Sequence, residues 1–210
     1  MVVDQNFLKV KKYFLLIIFF LLFASKSFSN NYKFTKITEL NEPWGSSFIN
    51  NNEIIITEKS GKIKIVNIFS KEVLEIKHNL NFLEIGQGGL LDIIHQDDTL
   101  WISYSENRGD QKTSTSIAKA QLDKKKLTFI NIFQANPPID SGYHFGSRLA
   151  IKGDYLFASA GERGQGMIAQ DPTKHPGSII RIYTDGSIPK DNPKFEGKKN
   201  WLPEIYQIGV

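Results

Sequence analysis

Short runs of apolar residues, separated by brief polar turns, dominate the chain after residue 30. The run Lys62-Ile63-Lys64-Ile65 alternates strictly, and most runs last five to eight residues rich in Ile, Val, Phe, Tyr and Thr. A period of two predicts β-strands, and turns as short as KSG, QDD and KGD join antiparallel neighbours. Since no amphipathic run long enough for a helix follows residue 30, the pattern predicts an all-β, antiparallel protein.

The predicted strands follow one another closely along the chain. They are, in order, a lead-in strand YKFTKIT, then NEIIITEK, GKIKIVNI, GGLLDIIH, TLWISYSE, TSIAKAQL, KLTFINIF, SRLAIKG, DYLFASA and SIIRIYT.

Three segments repeat one plan of a glycine, a strand, a polar turn and a stronger strand. Gly45, Gly89 and Gly146 mark the repeats, 44 and then 57 residues apart, and QANPPIDSGY is the insertion expected in the longer interval. Four-stranded blades of a β-propeller recur at about 40–50 residues, whereas a β-sandwich, the alternative, shows no such period. The repeat therefore predicts about three blades of four antiparallel strands. A ring closes with about four to eight blades, so the chain is expected to stop partway round a larger one.

The N-terminus has the order of a secretory signal peptide. Three lysines precede the eleven-residue apolar run 14–24, and Ser27 and Ser29 occupy the −3 and −1 positions of a cut before Asn30. We therefore predict a signal peptide over 1–29, and a mature propeller domain over 30–210 that is no longer attached to a membrane. The alternative is an uncleaved anchor, for which this run is short, because a span needs about 20 apolar residues.

Charge and composition narrow the function classes. Of the net charge of +4, +3 belongs to residues 1–29, so the mature part is close to neutral. No basic patch with interleaved aromatics remains, and nucleic acid is excluded as a partner. The chain has no cysteine, which excludes disulfides and thiolate metal sites. The four histidines are scattered, and the sequence contains neither HExxH nor GxSxG.

Six motifs occur in an order that resembles a known enzyme family. They are EPWGSSF, GQGGLLDI, YHFGSRLA, SAGERGQG, AQDPTKHPGSIIRI and DGSIPKDNP, spread from Leu40 to the end. Together they resemble the soluble sugar dehydrogenases that depend on pyrroloquinoline quinone (PQQ), the glucose/sorbosone or aldose sugar dehydrogenases. The resemblance implies a six-bladed, periplasmic propeller that carries PQQ and calcium and oxidises the C1 hydroxyl of aldoses to the lactone. An external electron acceptor would then reoxidise the quinone.

The resemblance also implies roles for three residues. His144 matches the general base, for which an imidazole suits because its ordinary pKa lies near 6.5. Aromatic neighbours would favour its neutral form. Gln87 matches a glutamine that contacts sugar and cofactor, and Glu162 falls where the family places a substrate-side aspartate. From the residues alone, His144 could equally be a core histidine, Gln87 a polar turn residue, and Glu162 half of a surface ion pair with Arg163.

The chain looks truncated against the family pattern. It ends WLPEIYQIGV, where the family continues into a quinone-binding Arg–Asn pair and the calcium ligands, so no metal ligand is assigned in this chain. We expect the chain to be inactive alone. Two other functions stay open: a periplasmic propeller that binds without redox chemistry, and a lactonase-like propeller with a central metal.

Overall fold

The computed structural model describes residues 32–194, 197 and 200–210. The predicted signal peptide, 1–29, lies outside these residues and stays a prediction. The chain divides into two compact units, 1–36 and 37–210. The few described residues of the first unit form no strand. In the described part of the chain no helix is long and apolar enough to cross a membrane.

The second unit is built from short antiparallel strands and one 3₁₀ turn at Gly166–Gln170. The strands are β1 Pro43–Phe48, β2 Glu53–Glu58, β3 Lys62–Asn67, β4 Val73–His78, β5 Leu90–Gln96, β6 Thr99–Asn107, β7 Thr113–Gln121, β8 Lys126–Leu127, β9 Ile130–Gln134, β10 Gly146–Lys152, β11 Tyr155–Ala160, β12 Ser178–Tyr183 and β13 Ile205–Ile208.

These strands form three sheets, here called blades. Blade 1 has the order β1-β2-β3-β4, blade 2 the order β5-β6-β7-β9, and blade 3 the order β10-β11-β12-β13. The short strand β8 adds to the outer edge of blade 1 in parallel with β4. The prediction of an all-β structure with about three four-stranded antiparallel blades is confirmed.

Two predicted strands differ in the structure. The prediction of a lead-in strand is wrong, because residues 32–38 form no strand. KLTFINIF is two strands, β8 and β9, rather than one. The Asn79 side chain explains the break: its amide donates to the Phe129 carbonyl at 3.0 Å and accepts from the Phe129 amide at 2.7 Å. The backbone of Phe129 is thereby withdrawn from the ladder.

Each inner strand carries a β-bulge at an equivalent place. The register shifts between Pro43 and Ser46 in β1, between Leu90 and Ile93 in β5, and between Gly146 and Leu149 in β10. The repeat frame drawn through Gly45, Gly89 and Gly146 is therefore displaced, because these glycines sit at three different points relative to the bulge. Gly45 has its own cause, since a Cβ there would lie 2.6 Å from the Leu91 carbonyl oxygen of blade 2.

A hydroxyl on the second strand of each blade lies opposite the bulge. Thr57 accepts a hydrogen bond from Gly45 N at 2.9 Å and donates to Leu91 O of blade 2 at 2.5 Å. Ser103 repeats this, accepting from Asp92 N at 3.0 Å and donating to Ser147 O of blade 3 at 2.6 Å. In blades 1 and 2 the hydroxyl thus joins the inner strand to the inner strand of the next blade.

Two apolar cores fill the spaces between blades. The first, between blades 1 and 2, includes Ile55, Ile63, Leu100 and Ile102. The second, between blades 2 and 3, includes Trp101, Ile117, Leu156 and Ile180. Leu100 and Trp101 are neighbours on β6 that serve opposite cores, because successive side chains of a strand point to opposite faces.

Candidate active site

The three residues predicted for the site come together at one end of the inner strands. Gln87 precedes β5 and His144 precedes β10. Glu162 follows β11, and the pairing of Gly146 with Ala160 places the end of β11 beside the start of β10. His144 N donates to Gln87 Oε1 at 2.9 Å, and His144 Nδ1 lies 2.5 Å from Glu162 Oε1.

The backbone holds His144 in an uncommon conformation. Its φ is +47°, in the left-handed region that residues with a side chain rarely adopt. The His144 carbonyl packs against Gly161, where a Cβ would lie only 2.0 Å from that oxygen. Glycine is therefore required at 161. The turn points the His144 imidazole outward, and 54% of this side chain is exposed.

The contact with Glu162 selects one tautomer of the neutral imidazole. A carboxylate only accepts, so in the neutral form the hydrogen lies on Nδ1 and the lone pair on Nε2. Glu162 Oε1 also accepts from Gly164 N at 3.1 Å. Burial acts to raise the pKa of Glu162, but the hydrogen bonds from His144 and from backbone amides outweigh it and leave this pKa below its ordinary value. The carboxylate is thus ionised at neutral pH.

The aromatic neighbours of His144 do not surround it as the sequence suggested. Phe145 is 2% exposed and faces the interior, whereas Tyr143 is 63% exposed. The Tyr143 ring lies beside the imidazole, with 6.2 Å between ring centroids. Only one of the two aromatic neighbours therefore lies beside the imidazole, and that ring is itself exposed, so the aromatic residues do not bury His144.

Arg163 is the residue that sequence reasoning missed. The alternative reading paired it with Glu162 at the surface, but its guanidinium turns inward and the residue is only 2% exposed. It stacks on Phe145, with 3.6 Å from Cζ to the ring centroid. A charged residue between two glycines resembles any surface turn, so the sequence offers no signal of this burial.

Only the oxygen of the Gln87 side-chain amide has a hydrogen-bond partner among the described residues. Oε1 accepts from His144 N, and no described residue accepts from Nε2. A cavity of about 370 Å³ lies beside it, lined by Glu42, Pro43, Trp44, Lys59 and Gly86. A larger cavity of about 590 Å³ lies elsewhere, near Pro189 and Trp201, and contains none of the predicted site residues.

Among the described residues, no three His, Asp or Glu side chains gather as metal ligands. The calcium predicted from the resemblance therefore stays a prediction.

Comparison with known proteins identifies the class of this fold as the sugar dehydrogenase propellers. The sequence profile of the Glucose / Sorbosone dehydrogenase family matches residues 40–210, and the chain belongs to that family. It is 33% identical to the aldose sugar dehydrogenase of Escherichia coli in an alignment 182 positions long, which covers 82% of this chain and 49% of that protein. It is 28% identical to quinoprotein glucose dehydrogenase B of Acinetobacter calcoaceticus, over 89% of this chain and 46% of that protein.

The solved structures agree. The apo-form of the soluble aldose sugar dehydrogenase from E. coli superposes with a TM-score of 0.73 at 33% identity, over 79% of this chain and 50% of that chain. The present chain spans about half the length of the relatives it matches.

Proposed function

We propose that the protein to which these residues belong oxidises the C1 hydroxyl of aldose sugars to the lactone, with His144 as general base. The observation that carries the proposal is the pairing of the exposed His144 imidazole with the partly buried Glu162 carboxylate. Glu162 Oε1 lies 2.5 Å from His144 Nδ1, which leaves Nε2 as the proton acceptor. This is the arrangement that orients a histidine base in acid–base catalysis. Membership of the sugar dehydrogenase family supports the substrate class.

The reaction requires a proton and a hydride to leave the sugar. His144 Nε2 takes the proton of the C1 hydroxyl, and the developing imidazolium is stabilised by Glu162. A bound PQQ would accept the hydride from C1 and pass the electrons to an external acceptor; one relative is named a quinoprotein. Gln87 Oε1 holds the backbone beside the base, while its NH₂ group can donate to a sugar or quinone oxygen.

The fit of this chain to PQQ rests on Gln87 alone, so it supplies one cofactor contact. Calcium at the cofactor and secretion to the periplasm belong to the same proposal. Their support is the resemblance of the motifs and the predicted signal peptide. A propeller that binds sugars without redox chemistry remains the alternative.

The test replaces His144 in the complete protein to which these residues belong, and it measures aldose oxidation with PQQ, calcium and an artificial acceptor. His144→Gln should lower turnover by about 10²–10⁴-fold. His95→Gln is the control, because His95 lies in β5 near the opposite end of the strand from Gln87. Turnover that survives His144→Gln would reject the base, and sugar binding without any turnover in the unaltered protein would favour the binding module.

A further inference from the structure

We infer that Arg163 is the positioning residue of this site: its buried guanidinium holds the 141–145 loop, and through it the His144 imidazole, in the geometry that proton transfer requires. The inference deepens the proposed function, since it assumes that the orientation of His144 matters for catalysis. The structural part of it stands on the contacts of Arg163 alone.

The guanidinium donates to acceptors on both sides of the loop. Nε donates to Tyr143 O at 3.0 Å, and Nη2 donates to Ser141 O. On the other side, Nη1 donates to Thr113 O at 3.2 Å and Nη2 to Thr113 Oγ1 at 2.7 Å. Thr113 begins β7, so Arg163 fastens the loop that precedes blade 3 to the frame of blade 2.

The backbone of the 161–163 segment completes the clamp. Arg163 N donates to His144 O at 3.3 Å, and Gly161 N donates to Phe145 O at 3.0 Å. Together with the Gln87 contact, these bonds hold His144 through both its backbone N–H and its carbonyl. The positive φ of His144 persists because its surroundings over-determine it.

The charge of Arg163 has no carboxylate partner among the described residues; the neighbouring Glu162 is directed to His144. Burying an unpaired cation is costly, and here three carbonyl dipoles, one hydroxyl and the face of Phe145 offset that cost. Burial lowers the pKa of Arg163 to about 10, while the charge of Glu162 opposes the shift. The group is therefore a cation at neutral pH, and only a planar fork of donors can reach these acceptors together.

Two substitutions separate the charge from the fork. Arg163→Met removes both, and Arg163→Lys keeps the charge but cannot make all four hydrogen bonds. The direct readout is the imidazole Nδ1–H resonance of His144 in NMR spectra of the 210-residue chain, assigned by its loss in His144→Gln. We expect Arg163→Met to abolish this resonance through solvent exchange, and Arg163→Lys to weaken it.

Activity gives the second readout. In the complete protein to which these residues belong, loaded with PQQ and calcium, Arg163→Met should lower kcat by about 10–100-fold with a smaller change in KM, and Arg163→Lys should recover part of the loss. Arg148→Met is the matched control, because Arg148 belongs to the same blade but 68% of its side chain is exposed. It should leave both readouts unchanged.

The outcomes are distinguishable. If Arg163→Met keeps the Nδ1–H resonance of His144, the inference is overturned whatever the activity. If the resonance is lost while His144→Gln leaves turnover intact, the positioning stands and the proposed base fails. Should Arg163→Met not fold, Thr113→Val decides, because it removes one acceptor without changing shape; a resonance as strong as in the unaltered chain would then overturn the inference.

Discussion

At the scale of single residues, the site depends on one long carboxylate side chain. Glu162 stands where the family pattern led us to expect aspartate, and we predicted a contact with substrate. In the structure Glu162 Oε1 lies 2.5 Å from His144 Nδ1, and the contact with substrate stays a prediction. The carboxylate is therefore placed to orient the proposed base, a role that comparable partners of catalytic and metal-binding histidines perform.

Replacing this carboxylate should disable the base without unfolding the blade. Glu162→Gln keeps an oxygen that can accept from Nδ1–H but loses the negative charge that stabilises the imidazolium. We expect turnover to fall by about 10–100-fold. Because Glu162 has only a partly buried side chain, thermal stability at neutral pH should change little, and a melting curve beside the kinetic assay checks this.

The pH dependence of the same contact has a defined sign. The pKa of Glu162 is lowered in the folded state, so its stabilising contact is fully present above the ordinary value of 4.5 and is lost as the pH falls through the lowered value. The Nδ1–H resonance of His144 should follow this carboxylate in the acid range. In Glu162→Gln the resonance should no longer respond there, and an unchanged response would contradict the pairing.

The sequence located the site residues but not their relationships. His144, Gln87 and Glu162 were found through motifs whose spacing resembles the family, and the structure brings all three together. The inward orientation of the Arg163 side chain could not be predicted from the sequence. The alternation of a strand shows which face of the sheet a residue takes, but a turn between glycines has no such periodicity. Contacts between residues 50 apart, such as Arg163 with Thr113, are set by how blades pack.

At the scale of elements, the period-two pattern predicted most strands but missed β4. Leu74-Glu75-Ile76-Lys77 alternates in the sequence, yet only Ile76 of this strand is buried. Conversely, YKFTKIT alternates but forms no strand, because alternation shows a capacity for pairing and not the presence of a partner edge. The bulges were invisible for the same reason, since they are defined by register between two strands.

Removing the hydroxyls opposite the bulges should lower the free energy of unfolding more in blades 1 and 2 than in blade 3. Thr57→Val and Ser103→Ala each leave a buried amide and a buried carbonyl of the next blade without their partner, which should cost about 1–3 kcal/mol. Ser159 occupies the equivalent place in blade 3 and accepts from Arg148 N at 3.1 Å. Within the described residues it has no acceptor, so Ser159→Ala should cost less, about 1 kcal/mol or below.

Urea unfolding of the three variants tests this gradation. The order of loss should place Thr57 and Ser103 together and Ser159 well below them. A loss at Ser159 as large as at Ser103 would mean that the hydroxyl acts within its own blade and that the bond to the next inner strand adds nothing.

At the scale of the whole molecule, the blades are equivalent in plan and unequal in packing. Ile55, Trp101 and Phe157 lie at the same position, two residues before the hydroxyls Thr57, Ser103 and Ser159. Ile55 is fully buried between blades 1 and 2, and Trp101 is 6% exposed between blades 2 and 3. Phe157 is only half-buried and meets aromatic rings of its own blade, with 5.5 Å between its centroid and that of Tyr206. Within the described residues, the same side-chain position therefore packs into an inter-blade core in blades 1 and 2 and against its own blade in blade 3.

This difference in packing predicts which aromatic side chain of the 210-residue chain lowers the free energy of unfolding most when it is replaced by alanine. Trp101 also donates from Nε1 to Thr184 O of blade 3 at 2.9 Å, so Trp101→Ala removes apolar volume and leaves that carbonyl without its donor. The loss in the free energy of unfolding should be about 3–5 kcal/mol. Phe157→Ala removes a ring that water already reaches and should cost roughly half as much or less. Trp101→Phe, which keeps most of the volume and loses the hydrogen bond, should fall between them.

Denaturant unfolding with m-values checks all three, because a constant m shows that stability alone has changed. Equal losses at Trp101 and Phe157 would contradict the argument, since they would show that blade 3 gains as much from packing its own rings as from packing against blade 2.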